Sequence, residues 1–466
     1  MTLAASGQMS IAGTVTDRSI QVELGGNGST QMSMDDASVR GLAGVASGQI
    51  NLSTDFYGKT HAVFSGDWSA TTQQAKVQAS DKLPGDLFGV DVSISGDGTT
   101  AIFGAWGEDT GGSRAGAAYI FTKSGSTWTQ QAKIQASDKL PDDRFGYQVS
   151  ISKNGDTAII SAYLEDTGGS QTGAVYIFTR SGSTWSQQAK IQASDKETID
   201  RFGTSASIAD DGNTLIAGSP NEDTGGSNAG AVYIFTRSGS TWTQQAKIQA
   251  SDKQAEDKFG TASFISGDGD TVIVGAEGED TGGTSAGAAY IFTRSGSTWT
   301  QQAKIQSDDI QASDSFGWSV SISGDGNTAI AGARFVTISG QSYAGAAYIF
   351  TRSGSTWAQQ AKLQASDFQY QDYFGYDVSI TGDGNTAIVS AFLEDTGGSA
   401  AGSAYIFTRS GSTWTQQAKI QASDKQAGDR FGTSISIADE GSALVGAYLE
   451  DTGGSNAGSA YIFVAG

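Results

Sequence analysis

The dipeptide Phe-Gly recurs at Phe88, Phe145, Phe202, Phe259, Phe316, Phe374 and Phe431, at five intervals of 57 residues and one of 58. A fixed period of this length marks a repeat architecture and limits every local reading that follows. The unit from Phe145 to Arg201 runs through Val149-Ser-Ile-Ser152, Ala158-Ile-Ile-Ser-Ala162, Gly173-Ala-Val-Tyr-Ile-Phe178 and Trp185-Ser-Gln-Gln-Ala-Lys-Ile191, and closes on the loop Ser194-Asp195-Lys196. Four short apolar or alternating runs, separated by Gly, Ser, Asp and Asn, predict a four-stranded antiparallel sheet. Seven such sheets predict an all-β fold, a seven-bladed β-propeller.

The two ends of the repeat array complement each other. Trp68-Ser-Ala-Thr-Thr-Gln-Gln-Ala-Lys-Val-Gln78 is the last strand of a unit without its first three. After Phe431 come three runs, residues 433–438, 443–447 and 459–463, with no Trp strand behind them. Seven Phe-Gly starts and seven Trp strands (Trp68, Trp128, Trp185, Trp242, Trp299, Trp357, Trp414) make seven complete blades only in a closed ring. An open solenoid would need a cap at each end. The expectation is closure, with the strand after Trp68 locking the final blade. Domains are expected at 1–60 and 61–466, with residues 61–67 as linker.

The order Phe-Gly, Asp-Gly turn, Gly-Ala and then Gly-Ala-Ala-Tyr-Ile-Phe resembles the FG-GAP repeat, the blade unit of integrin α-chain propellers and of many bacterial and phage proteins. The resemblance covers residues 68–466 and implies a scaffold rather than an activity. Integrin relatives carry Asp-x-Asp-x-Asp-Gly calcium loops in the corresponding region. Here the turns at Asp97, Asp268, Asp325 and Asp383, with Asp211 in a related Asp-Asp-Gly, mostly hold one acid. Calcium takes about six to eight oxygens, whereas Asx-Gly turns form hairpins without metal. The turns are therefore read as structural in preference to calcium sites, and no cofactor is expected.

Residues 1–60 hold no Phe-Gly unit. Short alternating runs stand at Met9-Ser-Ile11, Ile20-Gln-Val-Glu-Leu24, Met32-Ser-Met34 and Ile50-Asn-Leu52, and Asp35 or Asp36 could cap one or two helical turns. Ser6-Gly-Gln-Met-Ser-Ile11, Met32-Ser-Met-Asp-Asp-Ala-Ser-Val-Arg40 and Asp55-Phe-Tyr-Gly-Lys59 are similar to the amino-terminal module of structural proteins from tailed phages. That resemblance implies a virion attachment module that contacts other virion proteins, in a homo-oligomer. The plainer reading is a small β-rich cap on the propeller. A phage particle is the expected location, with an extracellular one as the alternative.

Charge narrows the partners. With 28 Lys+Arg against 49 Asp+Glu, the net charge of −21 repels phosphate backbones, so no nucleic-acid partner is expected. There is no Cys, which removes thiol chemistry. No apolar run approaches the about 20 residues of a membrane helix, and Met1-Thr-Leu-Ala-Ala-Ser-Gly lacks the basic start and apolar core of a signal peptide. A soluble protein without membrane insertion is expected.

Antiparallel turns alternate between the two ends of a blade. The Asp-Gly turn and the turn after the third strand share one face. The loop after the second strand and the blade-to-blade loop share the other, and copies vary more there. Binding is expected on this second face. Within the Trp strand, alternation places Trp128, Ala132 and Ile134 on one side and Thr129, Gln131 and Lys133 on a wet side, with Lys133 discouraging edge pairing.

Six copies of the second-face loop carry a Glu-Asp pair, such as Glu108-Asp109 and Glu165-Asp166. Six symmetric copies do not make the two differently tuned acids of a glycosidase. A solvated rim or loop-shaping bonds fit better, and with His61 the single histidine no enzyme is expected. The fifth blade departs, with Arg334-Phe-Val-Thr-Ile-Ser-Gly-Gln-Ser-Tyr343 in place of Glu-Asp-Thr-Gly-Gly-Ser, and Trp318 after its Phe-Gly. The next blade-to-blade loop is Phe368-Gln-Tyr-Gln-Asp-Tyr373. Trp318, Arg334, Phe335, Tyr343, Phe368, Tyr370 and Tyr373 are thus the candidate site for a surface glycan or protein partner. Drift in one repeat, or contact with residues 1–60, is the competing account. A virion protein displaying the propeller for host recognition is the favoured function. A decoration protein that only packs on its neighbours, or a bacterial adhesin, are the alternatives.

Overall fold

Four strands recur in strict antiparallel order in every blade. Blade two consists of Val149–Ile151, Thr157–Ala162, Ala174–Ser181 and Thr184–Ile191, paired in sequence. The computed structural model describes residues 66–466 and four two-residue strands, Ile11–Ala12, Val15–Thr16, Ser19–Ile20 and Gln31–Met32. The chain divides into two units, Met1–Ser65 and Gly66–Gly466. In the first, Ile11–Ala12 pairs with Gln31–Met32 and Val15–Thr16 with Ser19–Ile20. The expected cap at Asp35 or Asp36, the run at residues 50–52 and the linker at 61–65 lie outside the described residues.

The second unit is a closed seven-bladed propeller. Blade seven takes Ile435–Ile437, Ser442–Ala447 and Ser459–Val464 from one end of the ring and Thr72–Val77 from the other. Lys76 lies opposite Tyr461, as Lys133 lies opposite Tyr119 in blade one. The junction is fastened by a reciprocal pair, Asp67 N to Gly466 O at 2.9 Å and Gly466 N to Asp67 O at 3.2 Å. Trp68 does not head this strand. It stands in a 3-10 turn, Trp68–Ala70, three residues early for the register of its siblings.

The core lies between blades rather than within them. In one cluster Ile102, Ala118, Ile120 and Ile134 of blade one pack against Phe145, Val149, Ile160, Tyr176 and Phe178 of blade two. Phe145 stands in its centre, edge-on to Tyr176 at 5.4 Å and to Phe178 at 6.1 Å. Burying such a ring contributes roughly 1.5–3 kcal/mol. The repeated glycines allow the approach. A Cβ on Gly116 would sit 2.0 Å from the carbonyl oxygen of Phe145, and one on Gly104 2.0 Å from that of Gly146. The Gly-Ala of one blade thus abuts the Phe-Gly of the next, as its packing role predicts.

First strands line the axis, and their inner edges have no sheet partner. Serine hydroxyls of the neighbouring blade satisfy them: Ser93 accepts from Ile151 N at 3.2 Å, Ser150 from Ile208 N at 3.3 Å and Ser207 from Ile265 N at 3.4 Å. This explains the small polar residue inside Val-Ser-Ile.

The fourth strand corrects the alternation argument. A bulge sets Ile120 opposite Ala132 but Phe121 opposite Gln130, so Gln131 is the extra residue. Its side chain accepts from Trp185 Nε1 of the next blade at 2.9 Å. Lys133 is no free charge on a wet edge. It is half-buried, 2.6 Å from Asp81 and 2.8 Å from Glu108. Thr-Gln-Gln-Ala-Lys is a set of blade-to-blade fasteners.

Candidate functional site

The Glu-Asp loops are built inward. Glu165 is buried; one carboxylate oxygen accepts from Lys190 Nζ at 2.8 Å and Thr167 N at 2.9 Å, the other from Gln192 Nε2 at 2.9 Å. Lys190 is also 2.7 Å from Asp138 in the blade-to-blade loop. Asp166 turns on its own loop and accepts from Gln171 N at 2.7 Å. The pair therefore shapes the loop. In blade five the counterpart of Glu165 is Val336, whose carbonyl accepts from Gly345 N as that of Glu165 accepts from Gly173 N. Val336 and Ile338 are buried, and Lys362 keeps Asp309 alone, at 2.6 Å.

The apolar anchor leaves the outer side of the blade-five loop to aromatics. The Arg334 guanidinium lies 3.1 Å from the Trp318 ring centroid and 4.4 Å from that of Phe335. Phe335 meets Tyr343 at 5.4 Å and Tyr373 at 5.6 Å. The rings of Tyr343 and Tyr373 are 6.0 Å apart and within 7° of parallel. Both residues have positive φ, 59° and 55°, and Tyr373 N bonds to Tyr343 O at 3.0 Å. Backbone strain of this kind in bulky residues persists where surrounding contacts fix it. Tyr343 is 40% exposed.

Five of the seven expected residues are thus brought together: Trp318, Arg334, Phe335, Tyr343 and Tyr373. Phe368 turns inward and packs against the cores of blades five and six. Tyr370 is 56% exposed and stands apart from the ring contacts of the other five. Two residues of blade six complete the circuit and were missed. Tyr373 meets Phe392 at 6.0 Å, Phe392 meets Tyr376 at 4.0 Å, and Tyr376 returns to Trp318 at 5.9 Å.

This circuit borders the axial channel, a cavity of about 460 Å³. Trp106, Tyr147, Trp318, Tyr376 and Tyr448 line its mouth on the loop face. Asp91 and Asp377 line the wall beneath. Asp91 accepts from Val149 N at 2.6 Å and Ser434 Oγ at 2.8 Å, tying blade one to blades two and seven. Asp377 accepts from Ile435 N and Ser319 Oγ, both at 2.8 Å. Burial pushes Asp91 up to about 7 and Asp377 up to about 6. At the turn end, Lys153 spans Asp439 at 2.9 Å and Asp210 at 3.4 Å.

The Asp-Gly turns fold on themselves. Asp97 accepts from Ser95 Oγ at 2.6 Å and Thr99 N at 3.0 Å. Among the described residues no group of three or more His, Cys, Asp or Glu is placed to hold a metal ion, and no helix is long and apolar enough to cross a membrane.

Seven successive segments match the FG-GAP repeat, residues 71–121, 128–178, 185–235, 242–292, 299–350, 357–407 and 414–463. Each starts on the fourth strand of one blade and ends on the third strand of the next. No curated protein matches the chain. The matched segments cover most of the ring and set the seven blades, so the chain belongs to the FG-GAP repeat family and its propeller is a binding domain.

Proposed function

We propose that the propeller is a recognition module that binds a saccharide on a host surface through the aromatic circuit of blades five and six, without transforming it. One observation carries this reading: Phe335, Tyr343 and Tyr373 form a fixed, partly exposed shelf in the one blade whose loop departs from its siblings. Aromatic faces with polar tips suit the apolar faces and hydroxyl edges of pyranose rings. Residues 1–60, through their similarity to tailed-phage modules, support carriage on a virion, among other virion proteins and in a homo-oligomer.

A glycan array probed with the full chain tests the module. Phe335→Ala and Tyr343→Ala should each weaken a positive spot by about 10- to 100-fold, since a buried ring contributes roughly 1.5–3 kcal/mol. Binding that survives both substitutions would sink the site. Antibody labelling of purified particles tests the carriage, and particles without the protein would refute it.

A further inference from the structure

The saccharide reading leaves the charge of the ligand open, and the cations of the chain bear on it. The protein carries a net −21, yet basic residues collect around the channel mouth. The residue before Phe-Gly is basic in four blades, Arg144, Arg201, Lys258 and Arg430, and blade five adds Arg334. Arg144 lies over Trp106 at 4.6 Å, Arg334 over Trp318 at 3.1 Å, and Arg430 donates to Tyr448 Oη at 2.7 Å. All three aromatic partners line the mouth. The Glu-Asp loops bond instead to the fourth, outermost strands, so the cations form an inner ring.

This ring is fixed and under-neutralised. Arg144, Arg201, Lys258 and Arg430 share a left-handed backbone with φ of 58°, 57°, 56° and 55°. The N–H of each bonds to a carbonyl of the preceding blade, as Arg144 N does to Arg114 O at 3.1 Å. Among the described residues Glu277 is the one carboxylate in ion-pair reach of the five, 3.7 Å from Lys258 and 3.9 Å from Arg334. Arg144 donates to Tyr163 Oη and Arg201 to Gln171 Oε1, both neutral. On the turn face, by contrast, Arg180 has Asp156 at 2.9 Å. The Nε atoms of Arg144, Arg201 and Arg334 are buried without a hydrogen-bond partner. Buried donors left unpaired are costly, so these guanidinium groups are short of acceptors.

We propose that the mouth takes an acidic saccharide, with its sugar rings on the aromatic shelf and its carboxylate or sulfate groups on the guanidinium edges of Arg144, Arg334 and Arg430. The inference rests on the saccharide reading and adds the ligand's charge. Guanidinium edges suit planar or tetrahedral oxyanions through paired N–H donors. Trp106 and Trp318 cover the guanidinium faces of Arg144 and Arg334, which leaves their Nη atoms for that contact.

Titration calorimetry of the full chain against four probes decides it: oligogalacturonate, its methyl ester, dextran sulfate and dextran. Each acidic probe that fits should bind about tenfold or more tightly than its neutral counterpart, and more weakly as salt rises. The uronate and sulfate arms identify which oxyanion the mouth prefers. Arg144→Gln and Arg430→Gln should each weaken the acidic probe about threefold to tenfold and leave the neutral one unchanged, with Arg180→Gln as the silent control. Arg334→Gln should act likewise, and a lowered melting temperature there leaves the other two to carry the test. Equal affinity for acidic and neutral probes, lost with Phe335→Ala, overturns the charge assignment and keeps the saccharide reading. Acidic binding that Arg180→Gln weakens as much as Arg144→Gln overturns it as unspecific attraction. Silence from all four probes overturns it together with the saccharide reading.

Discussion

In blade two the loop after the second strand closes over Glu165, which gathers Lys190, Gln192 and Thr167 N, and Lys190 in turn holds Asp138. In blade five the same position is Val336, buried beside Ile338, and the lysine of that blade keeps one acid. Both loops leave the four-stranded sheet intact, with third and fourth strands in the same bulged register. The buried ion pair is therefore one of two solutions to the same packing problem, in line with the near-equal worth of buried pairs and hydrophobic replacements. The apolar solution differs in what it leaves outside. Without an acid to neutralise, blade five can present Arg334, Phe335 and Tyr343.

The comparison assumes seven blades in one closed ring, and breaking the ring gives the largest effect. A chain starting at residue 66 should melt cooperatively, whereas one starting at residue 80 lacks Thr72–Val77 and leaves Ser459–Val464 as an open edge. The shorter chain should lose its melting transition or aggregate. Equal melting temperatures would show that blade seven does not need its fourth strand and that the blades are not equivalent units.

Next comes the buried acid itself. Glu165→Ala strands Lys190, which keeps Asp138, and should cost about 3 kcal/mol, near the low end for breaking a buried pair. Val336→Ala only removes methyl groups and should cost about 2 kcal/mol. Glu165→Val, with Lys190 kept on Asp138 as Lys362 is kept on Asp309, rebuilds the blade-five solution in blade two and should cost less than Glu165→Ala. Chemical denaturation of the three variants checks the order. A valine variant worse than the alanine one would mean that the two loops are not interchangeable.

The period, the strand order, the closure and the inter-blade role of the glycines were legible in the sequence, because each follows from backbone spacing repeated seven times. Blade five was legible for the opposite reason, since one exception against six agreeing copies stands out. What stayed hidden depended on a bulge or on neighbours. The extra residue at Gln131 breaks period-two alternation, so Lys133 reads as exposed until the register is known. Tyr376 and Phe392 sit at positions where the blades already differ from one another, so nothing singled them out. The basic residue before Phe-Gly gains meaning only once the mouth beside it is placed.

Acidity should separate two sets of carboxylates that blades two and five share. Burial raises Asp143 to about 6 despite the bond from Leu140 N, and it raises Asp314 in blade five in the same way. Burial also pushes Asp138 and Asp309 upward, but bonds from their lysine and tyrosine neighbours outweigh it and hold both below the ordinary 3.8. A raised acid destabilises the fold when ionised, so stability should rise as pH falls from 7 through about 6. A lowered acid stabilises the fold when ionised, so stability should fall again below about 4. The melting temperature should therefore peak at about pH 4, where the two effects cross. A steady decline from pH 7 downward would show that the blade-to-blade loop acids are not held neutral on acidification.

The smallest effect is expected on the turn face, where blade five is no exception. Asp325 accepts from Ser323 Oγ at 2.6 Å and Asn327 N at 3.0 Å, and Asp97 of blade one accepts from Ser95 Oγ and Thr99 N at the same two distances. Those bonds outweigh burial and hold Asp97 below the ordinary carboxylate value. A carboxylate so engaged within its own turn has little left for a cation, and one acid per turn falls short of the about six to eight oxygens calcium takes. Asp97→Ala and Asp325→Ala should thus each cost about 1 kcal/mol, the worth of a local side-chain to backbone bond. EDTA should leave the melting temperature of the full chain unchanged. A clear loss in EDTA that calcium restores would mean that carbonyl oxygens complete a site at these turns. A cost at Asp325 well above that at Asp97 would mean that the departure of blade five runs through the whole blade. Equal costs would confine it to the loop face, where the aromatic rings and the arginines meet.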